Sequence, residues 1–499
     1  MPAHACTAHT TTGAAVSEPL DLVIRNATVI DGTRSPRFSA DIGVRGDRIV
    51  EVGRIAARGA AHEIDATGLV AAPGFIDAHT HDDRLLLSDP TVAPKLSQGV
   101  TTVVTGNCGI SLPLTPPHGA RTPPLDLLDT EGTWFRFPDF ASYRQALEDA
   151  PAAINAACLV GHTTLRVAVM DRYDRPATAS EIGRMRELAA EALAAGAIGI
   201  STGTAYDPAA AAPTEEIVAV CQALAATGGL YVTHMRNEDS NILPAMDETF
   251  RIGRKSASPV VISHHKCIGT SNHGRSTETL AHIDRARQTQ AVSLDCYPYV
   301  ASSTVLKADR LSQSTKVIVT WSKPHPELAG LDLAEAARRL GCDQTAAAKK
   351  LAPAGAVYFM MNEGDVQRIL AYDDTMIGSD GLPHDARPHP RLWGTFPRVL
   401  GHYARDVGLF PLETAVYKMT GLPAARFGLR DRGVVRPGAF ADMTLFDAQT
   451  VIDTATFEDP IQPARGIATV IVNGRVAWTA GRPTDERGGR VLRRDPSVH

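Results

Sequence analysis

The sequence predicts an α/β protein. Its architecture is a (β/α)8 TIM-like barrel plus a small β-sandwich built from both chain ends, with an inserted lid subdomain. Three observations predict it. Short β-type runs with Asp-Gly and Gly turn signals occupy both ends of the chain. Eight apolar strands alternate with helical stretches between them. One stretch before the last strand is too long for a simple connection.

In chain order, residues 1–20 (MPAHACTAHTTTGAAVSEPL) lack the basic and continuous apolar regions of a signal peptide and read as a flexible tail. DLVIRNATVIDG, ADIGVRGDRIVEVG and HEIDATGLVAAPG are short strands with turn punctuation, and the texture returns in GVVRPGAFADMTLFDA and ATVIVNGRVAWTAGR. Residues 21–72 and 429–485 therefore form one discontinuous β-sandwich domain, whose halves must meet in space. The barrel spans 73–428. Its strands are read at 74–81, 100–109, 154–162, 197–203, 230–236, 260–266, 291–299 and 375–381. Between them lie stretches such as EIGRMRELAAEALAAGA, in which Ile182, Met185, Leu188 and Ala192 share a helical face. The insertion covers about 300–361 and holds Trp321 and the helical LDLAEAARRL.

Composition narrows the function. The 499 residues carry 50 Lys plus Arg against 55 Asp plus Glu, with 44% hydrophobic and 5% aromatic residues. That argues against a disordered polymer and, lacking cationic excess and stacking platforms, against a nucleic-acid binder. No uncharged apolar stretch reaches the roughly 18 residues of a membrane span. The seven cysteines are odd in number and show no CxxC spacing, so reduced thiols and a cytoplasmic location are expected rather than a disulfide framework.

The ends of the strands carry the chemistry, as expected of a barrel whose site lies at the C-terminal strand ends. His79-Thr80-His81 closes strand one; in a strand, residues i and i+2 face one way. Cys108 closes strand two between Gly106 and Gly109, His234 closes strand five, His264 and His265 close strand six, and Asp380 closes strand eight. Solvent-facing histidines or a buried apolar cysteine would explain any one of these, but not their recurrence at five strand ends. Soft sulfur and nitrogen donors with one carboxylate suit one or two Zn²⁺ ions.

These residues, with the strings GFIDAHTHDD, TTVVTGNCGISL, THMRNE, ISHHK, DCYPY and MIGSDGLPHDARPHPRLWGTFPRVLGHYARD, resemble the amidohydrolase superfamily and, within it, the N-acyl-D-amino-acid deacylases. The resemblance covers nearly the whole chain from about Asp21. It implies zinc-dependent hydrolysis of N-acyl-D-amino acids by metal-activated water. It implies a tight zinc site at Cys108, His234 and His264, a second, weaker site at His79 and His81 sharing Cys108, and Asp380 as general base and acid. Lys266, Arg391, Tyr297 and Ser303 are implied to hold the substrate's carboxylate. No lysine occurs between Lys95 and Lys255, so strands three and four cannot supply the bridging carbamate of the dihydroorotase and hydantoinase branches, and Cys108 is the better bridge.

The likeness in GNCGISL and LDLLD (125–129) points to apolar side chains over acidic D-glutamate or D-aspartate. The alternatives are an acidic deacylase, a cyclic-amide hydrolase, or a non-catalytic scaffold that should have lost several of these donors. Adjacent strand residues face opposite ways, so only one of His264 and His265 reaches the barrel mouth; the family pattern picks His264 and leaves His265 to packing. His162, His384 and His389 lie near strand ends without being assigned as ligands. The remaining cysteines, including Cys267 and Cys296, are expected to pack. The expected partner is a small molecule, with neither nucleic acid nor membrane; the sequence leaves the oligomeric state open, and a monomer is compatible with it.

Overall fold

The computed structural model describes residues 19–56, 60–114 and 122–498. The tail reading thus falls outside the described residues except at its end, where Leu20 already opens the first strand. The expected barrel is present. Its strands are β1 (Phe75–Asp77), β2 (Val100–Thr105), β3 (Asn155–Cys158 continued by Val160–Gly161), β4 (Gly199–Gly203), β5 (Leu230–His234), β6 (Val260–Ile262), β7 (Val292–Cys296) and β8 (Thr375–Ile377). Neighbours pair in parallel from β1 through β8. The ring closes where Ala78 N–H donates to the Ile377 carbonyl at 3.1 Å and Thr80 bridges Gly381. Parallel strands covered by helices are buried on both faces, which is why each reads as a short apolar run.

Both chain ends build one hydrogen-bonded sheet of nine strands. The halves join where Val70–Pro73 runs antiparallel to Met443–Phe446. The far edge, Arg48–Gly53, bonds back to the chain leading into that strand: Ile49 N–H donates to Ala439 at 2.9 Å and Ala441 N–H to Asp47 at 2.8 Å. The sheet therefore closes on itself around Leu22, Ile42, Val44, Met443, Leu445 and Ile471.

The insertion between β7 and β8 contains a three-stranded antiparallel sheet, Ala301–Val305, Ala354–Phe359 and Lys316–Ser322, with the helices Leu333–Arg339 and Gln344–Leu351. The last segment, Val491–Leu492, returns to the barrel and pairs with the first half of β3. Among the described residues no helix is long and apolar enough to cross a membrane.

Candidate metal centre

The strands end earlier than their apolar patterns suggest, and the polar side chains project from the turns beyond them. β1 stops at Asp77, β2 at Thr105, β6 at Ile262 and β8 at Ile377. Cys108, His264 and Asp380 follow at φ of 53°, 37° and 50°, left-handed values that non-glycine residues rarely adopt. Such strain persists only where surrounding structure enforces it, and it clusters at functional sites. Here it turns each side chain inward over the barrel mouth. His79 and His81 flank Thr80, which still bridges Gly381, and both face the donor cluster. His264 and His265, by contrast, lie past the end of β6, so strand alternation does not set their directions. His265 still points away, with its Nε2 2.8 Å from Thr279 Oγ1.

The Cys108 turn is pressed against the next two strands. A Cβ on Gly203 would stand 2.1 Å from the Cys108 carbonyl oxygen, and one on Gly161 2.3 Å from that of Gly109, so glycine is required at both. Gly109 N–H donates to Ser201 Oγ at 3.0 Å, and Asp83 accepts from Gly106 N–H at 3.1 Å.

Two groups of donors result, joined at Cys108. Its Sγ lies 3.3 Å from His79 Nε2, 3.4 Å from His264 Nε2 and 3.7 Å from His234 Nδ1. His234 Nδ1 and His264 Nε2 are 2.9 Å apart. Asp380 Oδ1 stands 3.5 Å from His79 Nε2 and 3.3 Å from His81 Nε2. The donor atoms of His79, His81, Cys108 and Asp380, and those of Cys108, His234 and His264, each lie within 4.8 Å of one another, all in buried residues.

The electrostatics match a cation site. Burial pushes the Cys108 thiol up, but the His79 and His264 charges and the His234 and His264 contacts outweigh it, leaving it well below the ordinary thiol range. Burial likewise opposes ionisation of Asp380, yet Arg391, His81 and the other imidazoles hold its carboxyl well below the usual carboxylate range. His81 moves up to about 9, because its contacts with Asp380 and Cys108 overcome burial. A buried thiolate and carboxylate ringed by imidazoles fit a zinc-type centre by the chemistry of the donors.

Two carboxylates that the sequence reading passed over orient the imidazoles. Glu238 lies 3.2 Å from His264 Nδ1 and 3.7 Å from His234 Nε2, the nitrogens facing away from the donor cluster, and accepts from Lys266 Nζ at 2.7 Å. Asp295 Oδ2 lies 3.5 Å from His79 Nδ1, and its Oδ1 accepts from His264 N–H at 2.9 Å. Such outer carboxylates fix ring orientation and raise ligand basicity. Glu238 follows His234 by four positions and Asp295 precedes Tyr297 by two, so proximity to a read residue was the available signal.

The remaining candidates gather beside the donors. Arg391 is fully buried; its Nη1 lies 2.9 Å from Asp380 Oδ2 and its Nη2 donates to the Ser303 carbonyl at 3.1 Å. Tyr297 lies between two cations, with Arg391 4.6 Å and Lys266 5.8 Å from its ring centre. Its hydroxyl and that of Ser303 are buried without a hydrogen-bond partner. His389 accepts from Arg391 N–H at 2.9 Å and steadies that turn. His162 faces Glu216 instead, at 3.4 Å. His384 has burial and the Arg84 charge pushing it down to about 4. Burial pushes the Cys267 and Cys158 thiols up to about 12 and the Cys296 thiol up as well, in keeping with packing roles.

Residues 62–478 match the model of the amidohydrolase family. The chain belongs to the amidohydrolase family. Within it, the chain is 60% identical over 479 residues to a D-aminoacylase of Alcaligenes xylosoxydans xylosoxydans, covering 96% of this chain and 98% of that one. It also superposes on a D-aminoacylase crystal structure described as defining a novel subset of amidohydrolases, with TM-score 0.93, 59% identity, and coverage of 95% of this chain and 100% of that one. A third amidohydrolase, the N-acyl-D-glutamate deacylase of Bordetella bronchiseptica complexed with zinc and a phosphonate mimic of the tetrahedral intermediate, superposes with TM-score 0.92 and 47% identity over the same shares.

Proposed function

We propose that this amidohydrolase hydrolyses N-acyl-D-amino acids to a carboxylate and a free D-amino acid. One observation carries the reading: two buried hydroxyls without partners, Tyr297 and Ser303, stand with Lys266 and Arg391 next to the thiolate–imidazole centre. Orphaned buried hydroxyls are costly unless a ligand satisfies them, and two cations with two hydroxyls suit a carboxylate. The relatives support the acyl-amide bond and the D configuration.

In this reading Cys108, His234 and His264 hold the tight zinc ion, and His79 and His81 with Cys108 a second, weaker one. When bound, zinc supplies Lewis acidity that polarises the acyl carbonyl and makes water a better nucleophile. The protein does the rest. Lys266, Arg391, Tyr297 and Ser303 grip the α-carboxylate and set the amide across the donor cluster. Asp380 Oδ1 takes the proton from water as its oxygen joins the acyl carbon. It then delivers that proton to the amide nitrogen as the C–N bond breaks, which an amine needs in order to leave. The Cys108 thiolate serves as a ligand, and no acyl-enzyme forms.

The test is amine release from N-acetyl-D-methionine and its L-enantiomer by the zinc-loaded protein. D-selective release is expected. Release from neither, with zinc bound and acidic acyl-D-amino acids equally inert, would overturn the reading.

A further inference from the structure

One buried charge has no part in the chemistry above. Lys95, on the short helix Ala93–Leu96, is fully buried, as are Asp77, Asp82 and Ser379 around it. Its Nζ donates to Asp77 Oδ2 at 2.8 Å and to Ser379 Oγ at 2.7 Å, and stands 3.3 Å from Asp82 Oδ2. Burial pushes the ammonium down, but the two carboxylates outweigh it and keep it charged. Each partner sits beside a functional side chain. Asp77 precedes His79 by two positions and accepts from its N–H at 3.3 Å, Asp82 follows His81, and Ser379 precedes Asp380.

The contacts converge on the turn that carries Asp380. Ser379 N–H donates to Asp77 Oδ1 at 2.8 Å, and Ser379 Oγ, held by Lys95, accepts from Gly381 N–H at 3.3 Å. Asp380 N–H itself donates to the His79 carbonyl at 2.8 Å. Three consecutive N–H groups are thus fixed, and between them Asp380 is kept at φ 50°. A non-glycine residue holds such a left-handed conformation only where its surroundings enforce it. We infer that Lys95 is a positioning residue for proton transfer: through Ser379 it fixes the turn that aims the Asp380 carboxylate at the donor cluster. The inference rests on the deacylase reading above, in which Asp380 moves the proton, and adds what holds that group in place.

An ammonium suits this task. It carries three N–H donors on a compact head. Here that head faces oxygens from the end of β1, from the segment after His81 and from the turn after β8. A buried ion pair is weak evidence for stability, whereas this geometry bears directly on Asp380. Oδ1 of that carboxylate stands 3.3 Å from His81 Nε2 and 3.5 Å from His79 Nε2, so the ammonium ties down the chain on both sides of the contact. A displacement of about 1 Å at a reacting group costs on the order of a hundredfold in rate.

The experiment measures kcat and KM of the zinc-loaded enzyme, of Ser379→Ala and of Lys95→Met, each variant also combined with Asp380→Asn. The substrate is N-acetyl-D-methionine or, where it is the better one, N-acetyl-D-glutamate. Ser379→Ala is expected to lower kcat about tenfold, the worth of one hydrogen bond. Lys95→Met is expected to lower it on the order of a hundredfold, with KM nearly unchanged in both. In the Asp380→Asn background neither is expected to lower kcat further, because the group they position is gone. A role in stability alone would shift urea melts and leave kcat as in the wild type. Lys95→Met leaves two buried carboxylates unpaired and can fail to fold; Ser379→Ala keeps the Lys95–Asp77 pair and then decides the matter. Wild-type kcat in Ser379→Ala, or losses that persist in full beside Asp380→Asn, overturns the inference and leaves the deacylase reading standing. A wild type inert towards both substrates overturns both.

Discussion

Arg391 Nη1 lies 2.9 Å from Asp380 Oδ2, so one fully buried guanidinium touches both the proposed carboxylate cradle and the proposed proton carrier. Substrate recognition and proton transfer therefore share a side chain. Arg391→Lys keeps the charge but loses the planar fork, and is expected to raise KM and lower kcat together. The Arg391 charge is the main influence opposing burial at Asp380, which it holds low. Weakening that contact raises the Asp380 pKa. Activity needs the ionised carboxylate, so the acid limb of the kcat–pH profile should move to higher pH. A limb that stays in place or moves to lower pH would break the link.

Asp380 belongs to the His79–His81–Cys108 group but not to the Cys108–His234–His264 group. Asp380→Asn should thus separate chemistry from tight metal binding. The expected loss in kcat is on the order of 10²- to 10⁴-fold, the usual contribution of a positioned acid–base, with one zinc ion retained by elemental analysis. Zinc lost in step with activity would instead make Asp380 part of the tight site.

Cys108 is the sole residue common to both groups. Cys108→Ala should deplete zinc from both, leaving each with imidazoles and without the thiolate that balances metal charge. Cys296→Ala, which removes a buried thiol that burial keeps protonated, is the control expected to retain zinc. Full metal content in purified Cys108→Ala would refute the shared-ligand arrangement.

The barrel was legible because parallel strands buried on both faces leave short apolar runs, and the runs were countable. The sites beyond them were legible only as residue types at strand ends. What was not legible is how the side chains turn inward. Cys108, His264 and Asp380 do so through left-handed backbone after the ladder has ended, which strand periodicity cannot report. Glu238 was hidden for another reason: its role depends on His264, 26 positions later, being folded against it. Lys266 reaches the His264 ring from a non-strand segment, with Nζ 2.7 Å from Nδ1, a contact that strand periodicity cannot report.

The strand that carries Asp380 is anchored from below by a buried lysine, and this makes stability depend on pH. Lys418, on the helix Leu412–Met419, is fully buried. Its Nζ donates to the carbonyl of Tyr372 and approaches those of Asp373 at 3.4 Å and Thr375 at 3.5 Å, where the chain enters β8. No carboxylate accepts from it among the described residues. Burial, with the Arg34 charge adding to it, pushes the ammonium down to about 7 against the opposing pull of Asp373 and Asp374. In the unfolded chain a lysine titrates near 10.4. Between roughly pH 7 and 10.4 the unfolded state thus holds more protons than the folded state. Stability from this group must then rise with pH, by up to about 1.4 kcal/mol per unit. Below about pH 6 both states are protonated and the dependence vanishes. Lys418→Met removes the titration. The difference in unfolding free energy, wild type minus variant, from urea melts at pH 6, 7, 8 and 9 should rise only slightly over the first interval and then climb steeply. A difference that falls with pH, or stays constant through pH 9, would mean that Lys418 keeps its proton in the folded state, with the three carbonyls solvating the ammonium as well as water does.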